Sequence, residues 1–271
     1  MSIDLINSNS LVLLGCGKMG SALLKGWLEN GIKPESIFVK EPNPSHWLSG
    51  LSGVNLNESL PNSAAVCVLA VKPQIMKTAL PQITRFKNSK TVFLSIAAGS
   101  TIKMFEEELG KTSRIVRAMP NTPASVKKGI TVIIGNNFST ESDLMLSESL
   151  MNSVGQTLRL DNESQMDAVT AISGSGPAYV FYLIEALAKA GEKQGLSSNL
   201  SMSLAQATII GAGALSDNSL ETPSELRRNV TSPGGTTQAA LEVLMDDELG
   251  LSPLLNRVVE AATARGKELG S

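Results

Sequence analysis

Leu11-Val12-Leu13-Leu14-Gly15-Cys16-Gly17-Lys18-Met19-Gly20 decides how the first half of this chain folds. Four apolar residues in a row read as a short strand buried on both faces. Gly15, Gly17 and Gly20 then spell GxGxxG, and residues 21–28 carry a helical pattern. A turn at Asn30-Gly31 and Pro34 leads to a second strand over residues 36–40. GxGxxG alone is weak, because an ordinary glycine-rich turn also matches it. Between a strand and a helix it has a mechanism. Gly15 makes the tight turn, Gly17 lets backbone approach a pyrophosphate, and Gly20 lets the helix sit close to the sheet. The free N–H groups at the helix start face the phosphate. The expected fold class is an α/β Rossmann-type N-terminal domain.

Outward from this turn, the adenosine end is ambiguous. An NAD site usually carries an acid at the end of the second strand, where it accepts from the ribose 2′-OH. Glu41 stands there, beside Lys40 and before Pro42-Asn43. Lys40 could pair with a 2′-phosphate and Glu41 would repel it; as solvated loop charges they would do neither. The residues leave NADP and NAD open. The strand rhythm continues at residues 64–71, 91–96, 114–118 and 129–134. Loops after strand C-termini line the crevice in which open α/β sheets bind ligands. Pro120 and Pro123 stiffen one of them. Cys67 lies inside a strand and reads as a small core residue. Met19 reads as packing, and His46 has no partner nearby in sequence.

Bulk properties exclude several classes. The chain has 271 residues, enough for two domains, with 42% hydrophobic and 18% charged residues. A net charge of −2 offers no footprint for nucleic acid. Cys16 and Cys67 are the only cysteines and His46 the only histidine, so neither a disulfide scaffold nor a metal site is expected. No apolar run reaches the roughly 18 residues needed to span a bilayer. The first residues do not read as a signal peptide. A cytoplasmic protein that binds no membrane is the expectation.

From about residue 140 the character changes. A helix over residues 141–153 and a strand over 155–160 precede a segment that is almost wholly helical. Asp161 or Asn162 can cap a helix through Met166, Val169 and Ile172. Ser173-Gly174-Ser175-Gly176-Pro177 must kink or break it before residues 178–190 resume. Residues 204–215 form an apolar helix containing Gly211 and Gly213, for which close packing is the reason. Pro223 and Ser224 start a short helix. After it comes Ser232-Pro233-Gly234-Gly235-Thr236-Thr237, placed at the N-terminus of another helix. Unpaired N–H groups there favour an anion. A Thr cap after a glycine loop needs no ligand. With no His, Cys or carboxylate cluster elsewhere to do chemistry, the ligand reading is preferred. The division expected is 1–160 for the dinucleotide-binding domain and 161–271 for the helical one.

At these residues the chain resembles the pyrroline-5-carboxylate reductase family over nearly its whole length. The resemblance rests on GCGKMG (15–20), AVKP (70–73), SIAAG (95–99), RAMPNTP (117–123), TAISGSGPAYVF (170–181) and VTSPGGTT (230–237). The glycine motif is shared with many reductases; SGSGPAY and SPGGTT together are far more specific. The resemblance implies reduction of Δ1-pyrroline-5-carboxylate to L-proline by NAD(P)H, the last step of proline synthesis. It implies an all-α C-terminal dimerisation domain that interleaves with that of a second subunit, and dimers that can assemble into a decamer. It places the substrate carboxylate on Ser232, Gly234, Gly235, Thr236 and Thr237, with Thr237 the catalytic hydroxyl. It places cofactor on Gly15, Gly17, Lys18, Met19, Asn57, Ala70, Lys72, Pro73, Ala97 and Asn121. Gln238 and Glu41 depart from many relatives, which carry an aliphatic and a small polar residue there. The family's habit and Lys40 favour NADPH, with NADH the alternative, if Glu41-Pro42 turns the carboxylate away from the ribose.

The chemistry asked of the protein is modest. Hydride passes from a nicotinamide to the C=N carbon, and the protein positions and polarises. An alcohol is a poor acid, so Thr237 is expected to hydrogen-bond the nitrogen and relay a proton from water. A β-hydroxyacid dehydrogenase is the rival enzyme. It would need a lysine base, and Lys189 and Lys193 lie on what reads as a solvated helix end. A non-enzymatic dinucleotide sensor is the other rival, and an intact SPGGTT argues against it.

Overall fold

In this computed structural model, residues 2–270 are described. The chain forms two compact units. One runs to Gly174 and takes in the stretch from Ala262 onward; the other spans Ser175–Ala261. In the first, chain order is α1 (Ser2–Asn9), β1 (Leu11–Leu14), α2 (Lys18–Glu29), β2 (Ile37–Lys40), α3 (His46–Ser49), β3 (Asn55–Leu56), β4 (Val66–Leu69), α4 (Pro73–Ala79), β5 (Val92–Ser95), α5 (Ile102–Leu109), β6 (Arg114–Met119), β7 (Gly129–Gly135), α6 (Glu141–Met151), β8 (Gly155–Arg159) and α7 (Met166–Val169).

The eight strands form one sheet in the order β3-β2-β1-β4-β5-β6-β7-β8. Strands β1 to β6 are parallel to one another, and β7 runs antiparallel to β6 and parallel to β8. Strand order reverses between β1 and β4, the switch point at which such sheets bind ligands. The continuous apolar runs explain the parallel core, because alternate residues feed opposite faces. Leu11 and Leu13 pack with Leu23, Leu24 and Trp27 of α2. Val12 and Leu14 pack on the other face with Met76, Phe86 and Phe105. Burying a side chain such as Leu23 or Leu24 contributes about 1.5–3 kcal/mol. Trp27 is fully buried, and its Nε1–H donates to the Leu150 carbonyl at 3.0 Å, so the largest core residue leaves no polar atom unpaired. Cys67 is a core residue of β4, as its strand context requires.

Strand β3 escapes sequence reading. It has two residues, paired to Phe38 and Val39, and is too short to show a period. The stretch after β8 also differs from expectation. Residues up to 174 stay with the first unit, where a compositional reading divides the chain at 160/161. Specific bonds explain this. Glu163 pairs with the buried Arg117 at 2.7 Å and accepts from the Ile102 N–H at 2.9 Å, so it also caps α5. Asn121 Nδ2 donates to the Ser173 carbonyl at 3.1 Å.

After α7, Thr170–Gly174 forms a π-helical turn. The second unit starts with α8 (Gly176–Lys193), with Pro177 in its first turn where its missing N–H costs nothing. Then come α9 (Ser198–Asn218), α10 (Pro223–Asn229), α11 (Thr236–Leu244) and α12 (Leu251–Gly270), whose last turns belong to the first unit. Helices α8 and α9 meet along small residues. Ala188, Ser201 and Ala205 are buried, and a Cβ on Gly191 would come within 2.9 Å of Ser201 Oγ. Gly211 and Gly213 have nothing within 4 Å of an added Cβ among the described residues, apart from their own helix backbone. Thr222 and Glu225 cap α10 reciprocally.

Candidate active site

The glycine turn fits a dinucleotide at three points. Gly15 has φ +90°, and a Cβ there would lie 2.7 Å from Val71 Cγ1 and 2.9 Å from the Ala70 carbonyl. A Cβ on Gly20 would meet the Gly15 oxygen at 2.8 Å. Both positions are closed by packing. Gly17 differs: nothing lies within 4 Å of its Cβ position, and it caps α2 with no side-chain acceptor. The first N–H groups of α2 therefore have no side-chain acceptor, and a helix N-terminus of this kind is one that can hold a pyrophosphate. Lys18 is exposed, and Met19 packs on the core, as the sequence suggests.

The remaining first-unit candidates gather on the same sheet edge, because they follow the C-termini of parallel strands. Ala70 follows β4, and its N–H donates to the Leu14 carbonyl at 2.8 Å, joining AVKP to the glycine turn. Lys72 is the exposed N-cap of α4, with Pro73 at its first position. Ala97 follows β5 and is buried. Asn121 follows β6 and is also buried. Besides the bond to Ser173, its Oδ1 accepts from the Ile130 N–H at 2.9 Å. Both ends of that side chain are used in joining loops, so its contribution to a ligand falls to backbone and shape.

Glu41 departs from the expectation that its carboxylate turns away. Its Oε2 accepts from the Cys16 N–H at 2.8 Å, inside the glycine turn, and its Oε1 from the Asn43 N–H at 2.9 Å. Backbone donors pull the carboxylate inward against any preference of the Glu41-Pro42 segment. Asn57 has φ +58° and brackets the Glu41 peptide, accepting from its N–H at 3.0 Å and donating to its carbonyl at 2.9 Å. Lys40 Nζ donates to the Asn57 carbonyl at 3.1 Å. Residues Leu14, Lys40, Glu41, Asn57 and Val71 line a cleft of about 360 Å³.

In the second unit, helix α11 starts at Thr236, so both threonines lie in its first turn and not before it. Gly235 is its N-cap and supplies no side-chain acceptor. Gly234 has φ +71°, a conformation glycine adopts without cost. Ser232 closes the loop by accepting from the Gly235 N–H at 3.0 Å. Thr236 is exposed and Thr237 half-buried. Thr236 and Thr237 present the unpaired N–H groups of a helix start, which attract a carboxylate. Sequence reasoning missed one contact here. Gln238 Oε1 accepts from the Gly234 N–H at 2.7 Å and so takes one of the loop's donors. The signal was the glutamine itself, four residues past Gly234 and one turn into the helix.

Groups set aside on sequence grounds stay outside both surfaces. His46 is exposed at the start of α3, and Lys189 and Lys193 are exposed near the end of α8. Burial pushes the thiols of Cys16 and Cys67 above their ordinary range, the opposite of an activated nucleophile.

Known proteins share this arrangement. Residues 163–269 match the family model for pyrroline-5-carboxylate reductase dimerisation, and residues 10–99 match that for NADP oxidoreductase, coenzyme F420-dependent. A pyrroline-5-carboxylate reductase from Pseudomonas aeruginosa is 36% identical over 264 residues, 96% of each chain. The structure of a pyrroline-5-carboxylate reductase from Coxiella burnetii superposes with a TM-score of 0.90 at 35% identity, covering 97% of this chain and 99% of that one. A pyrroline carboxylate reductase from Plasmodium falciparum with NADP bound gives 0.83 at 34% identity, over 98% and 99%. A mostly parallel sheet with an open glycine turn, a helical unit with an SPGGTT helix start, and 34–36% identity along almost the full length of these reductases lead to one conclusion: the chain belongs to the pyrroline-5-carboxylate reductase family.

Proposed function

We infer that this protein reduces Δ1-pyrroline-5-carboxylate to L-proline with NAD(P)H, the closing step of proline synthesis. The observation that carries the reading is the open cradle at Gly17, in a chain that also presents SPGGTT at an uncapped helix start. When bound, the nicotinamide supplies the hydride. Residues Gly15, Gly17, Lys18 and Met19 hold its phosphates, and Ala70, Lys72, Pro73, Ala97 and Asn121 shape the nicotinamide side. The first-turn N–H groups of Thr236 and Thr237 would hold the substrate carboxylate, with Ser232, Gly234 and Gly235 shaping the loop around it, since the Gly234 and Gly235 N–H groups are already taken. Thr237 Oγ1 donates to the imine nitrogen and passes on a proton from water, since a hydroxyl is too weak an acid to supply it alone. Substrate that arrives as the iminium needs only alignment, which can account for much of the acceleration. Dinucleotide binding is assigned to residues 1–160 and substrate binding and dimerisation to 161–271, a division by role that differs from the packing, in which the stretch up to Gly174 and that from Ala262 onward belong to the first unit. NADPH, the family's habit, and NADH both fit this reading, and Glu41 is the residue that stands between them. A cytoplasmic site of action fits this reading.

Assembly follows from the second unit. Phe181 is 60% exposed, Tyr182 68% and Ile210 69% in the single chain, and α10 to α12 bury no residue of their own. Apolar surface on this scale marks an interface. The protein is a homo-oligomer; the interleaved dimer is its unit, and a decamer is the higher assembly proposed. Gly211 and Gly213 then find in a second copy the close neighbour that is missing among the described residues. Light scattering at low micromolar concentration should give at least twice the chain mass, and Ile210→Asp should lower it. A stable, active monomer contradicts the assembly.

The reaction is tested by following reduced nicotinamide absorbance, which falls when an imine is reduced and rises when a 3-hydroxy acid is oxidised. Turnover is expected with pyrroline-5-carboxylate and not with 3-hydroxy acids and the oxidised cofactor. The reverse pattern would favour the β-hydroxyacid dehydrogenase reading.

A further inference from the structure

A fixed anion stands at the adenosine end of the first unit. The Glu41 carboxylate is held at both oxygens, by the Cys16 N–H at 2.8 Å and the Asn43 N–H at 2.9 Å. Its peptide is bracketed on both sides by the Asn57 side chain. Neither the side chain nor the backbone beneath it can swing without breaking these bonds. The carboxylate lines the cleft of about 360 Å³ beside Leu14, Val71, Ile75 and Ala79, an apolar wall suited to a flat purine.

Each carboxylate oxygen uses one lone pair on a backbone N–H and keeps another. A ribose with free 2′- and 3′-hydroxyls brings two donors to those lone pairs. A 2′-phosphate brings acceptors and about two negative charges to the same place, and it meets a like charge that cannot turn aside. Lys40 is the one cation lining the cleft among the described residues, and its ammonium is directed to the Asn57 carbonyl at 3.1 Å. One half-buried lysine beside a fixed carboxylate leaves no net positive charge for a phosphate. We propose that Glu41 is the specificity-determining residue for cofactor and that this enzyme prefers NADH to NADPH. The proposal rests on the reading of the chain as an NAD(P)H-dependent imine reductase and adds which of the two cofactors it takes.

The test is direct binding without any imine. The full-length protein is titrated with NADH and with NADPH and followed by nicotinamide fluorescence. NADH is expected to bind at least roughly tenfold more tightly, the scale of a hydrogen bond to a charged group. In Glu41→Ser the ratio should move toward NADPH by about tenfold or more. Glu41→Gln keeps one acceptor, enough for the Cys16 N–H, and gives up the bond to the Asn43 N–H together with the charge, a smaller change than serine; it too should gain NADPH affinity. Tighter binding of NADPH by the unaltered protein would overturn the proposal. So would an unchanged ratio in Glu41→Gln whose melting temperature matches the unaltered protein. Turnover separates this inference from the one beneath it. Imine reduction with NADPH preferred sinks the choice of NADH alone, whereas failure to bind either dinucleotide sinks both readings.

Discussion

Gly17→Val should leave the protein folded and remove most of its affinity for either dinucleotide. Nothing lies within 4 Å of the Cβ position, and Gly17 has φ −71° and ψ −159°, extended backbone that a valine also adopts. The added side chain costs the fold little. It fills the space above the Lys18 and Met19 N–H groups, where the pyrophosphate would lie. Loss of two charge-assisted hydrogen bonds, at about 1.5–3 kcal/mol each, predicts at least a roughly 100-fold fall in affinity. Gly20→Ala is the contrasting variant. Its Cβ would sit 2.8 Å from the Gly15 carbonyl oxygen, so it should lower the melting temperature as well. Circular dichroism and nicotinamide fluorescence together check the pair. Near-normal dinucleotide affinity in a folded Gly17→Val protein would remove this turn from the cofactor site.

Thr237→Ala should fold normally and lose roughly 10- to 1000-fold in kcat/KM, the range for one proton-transfer or charge-stabilising contact. Thr237 is half-buried in the first turn of α11, and no hydrogen bond from its hydroxyl is found among the described residues. The fold therefore does not depend on that oxygen, and alanine is a good helix former. Thr237→Ser keeps the hydroxyl and should retain much more activity. The loss in the alanine variant should fall on kcat more than on KM if the hydroxyl acts on the imine nitrogen in the transition state. Near-full turnover under conditions where chemistry limits the rate would exclude Thr237 as the polarising group.

Much of this was legible because the informative residues are local. The glycine turn is recognisable by its spacing between a strand and a helix, and the short apolar runs bounded by turns read as buried parallel strands. The helix break at Pro177 and the helix start after Gly235 were written in single residues whose backbone chemistry allows little else. What stayed hidden depends on distant partners. Nothing in Glu41-Pro42 says that the Cys16 N–H, 25 residues back in the chain, holds the carboxylate inward. Nothing in RAMPNTP says that Arg117 is nearly buried against Glu163, or that Asn121 uses both ends of its amide on other loops. The same reason explains why the compact first unit runs on to Gly174. A change in composition at residue 160 records where helix content rises, but the bonds of Glu163 and Ser173 keep that segment on the sheet.

The central claim is that one enzyme couples an open dinucleotide cradle to reduction of a cyclic imine. The most direct measurement compares L-proline formed with reduced nicotinamide consumed, in purified protein supplied with pyrroline-5-carboxylate. One proline should appear for each nicotinamide oxidised, with neither change when substrate or protein is left out. Folded protein that binds the dinucleotide and forms no proline would contradict the account.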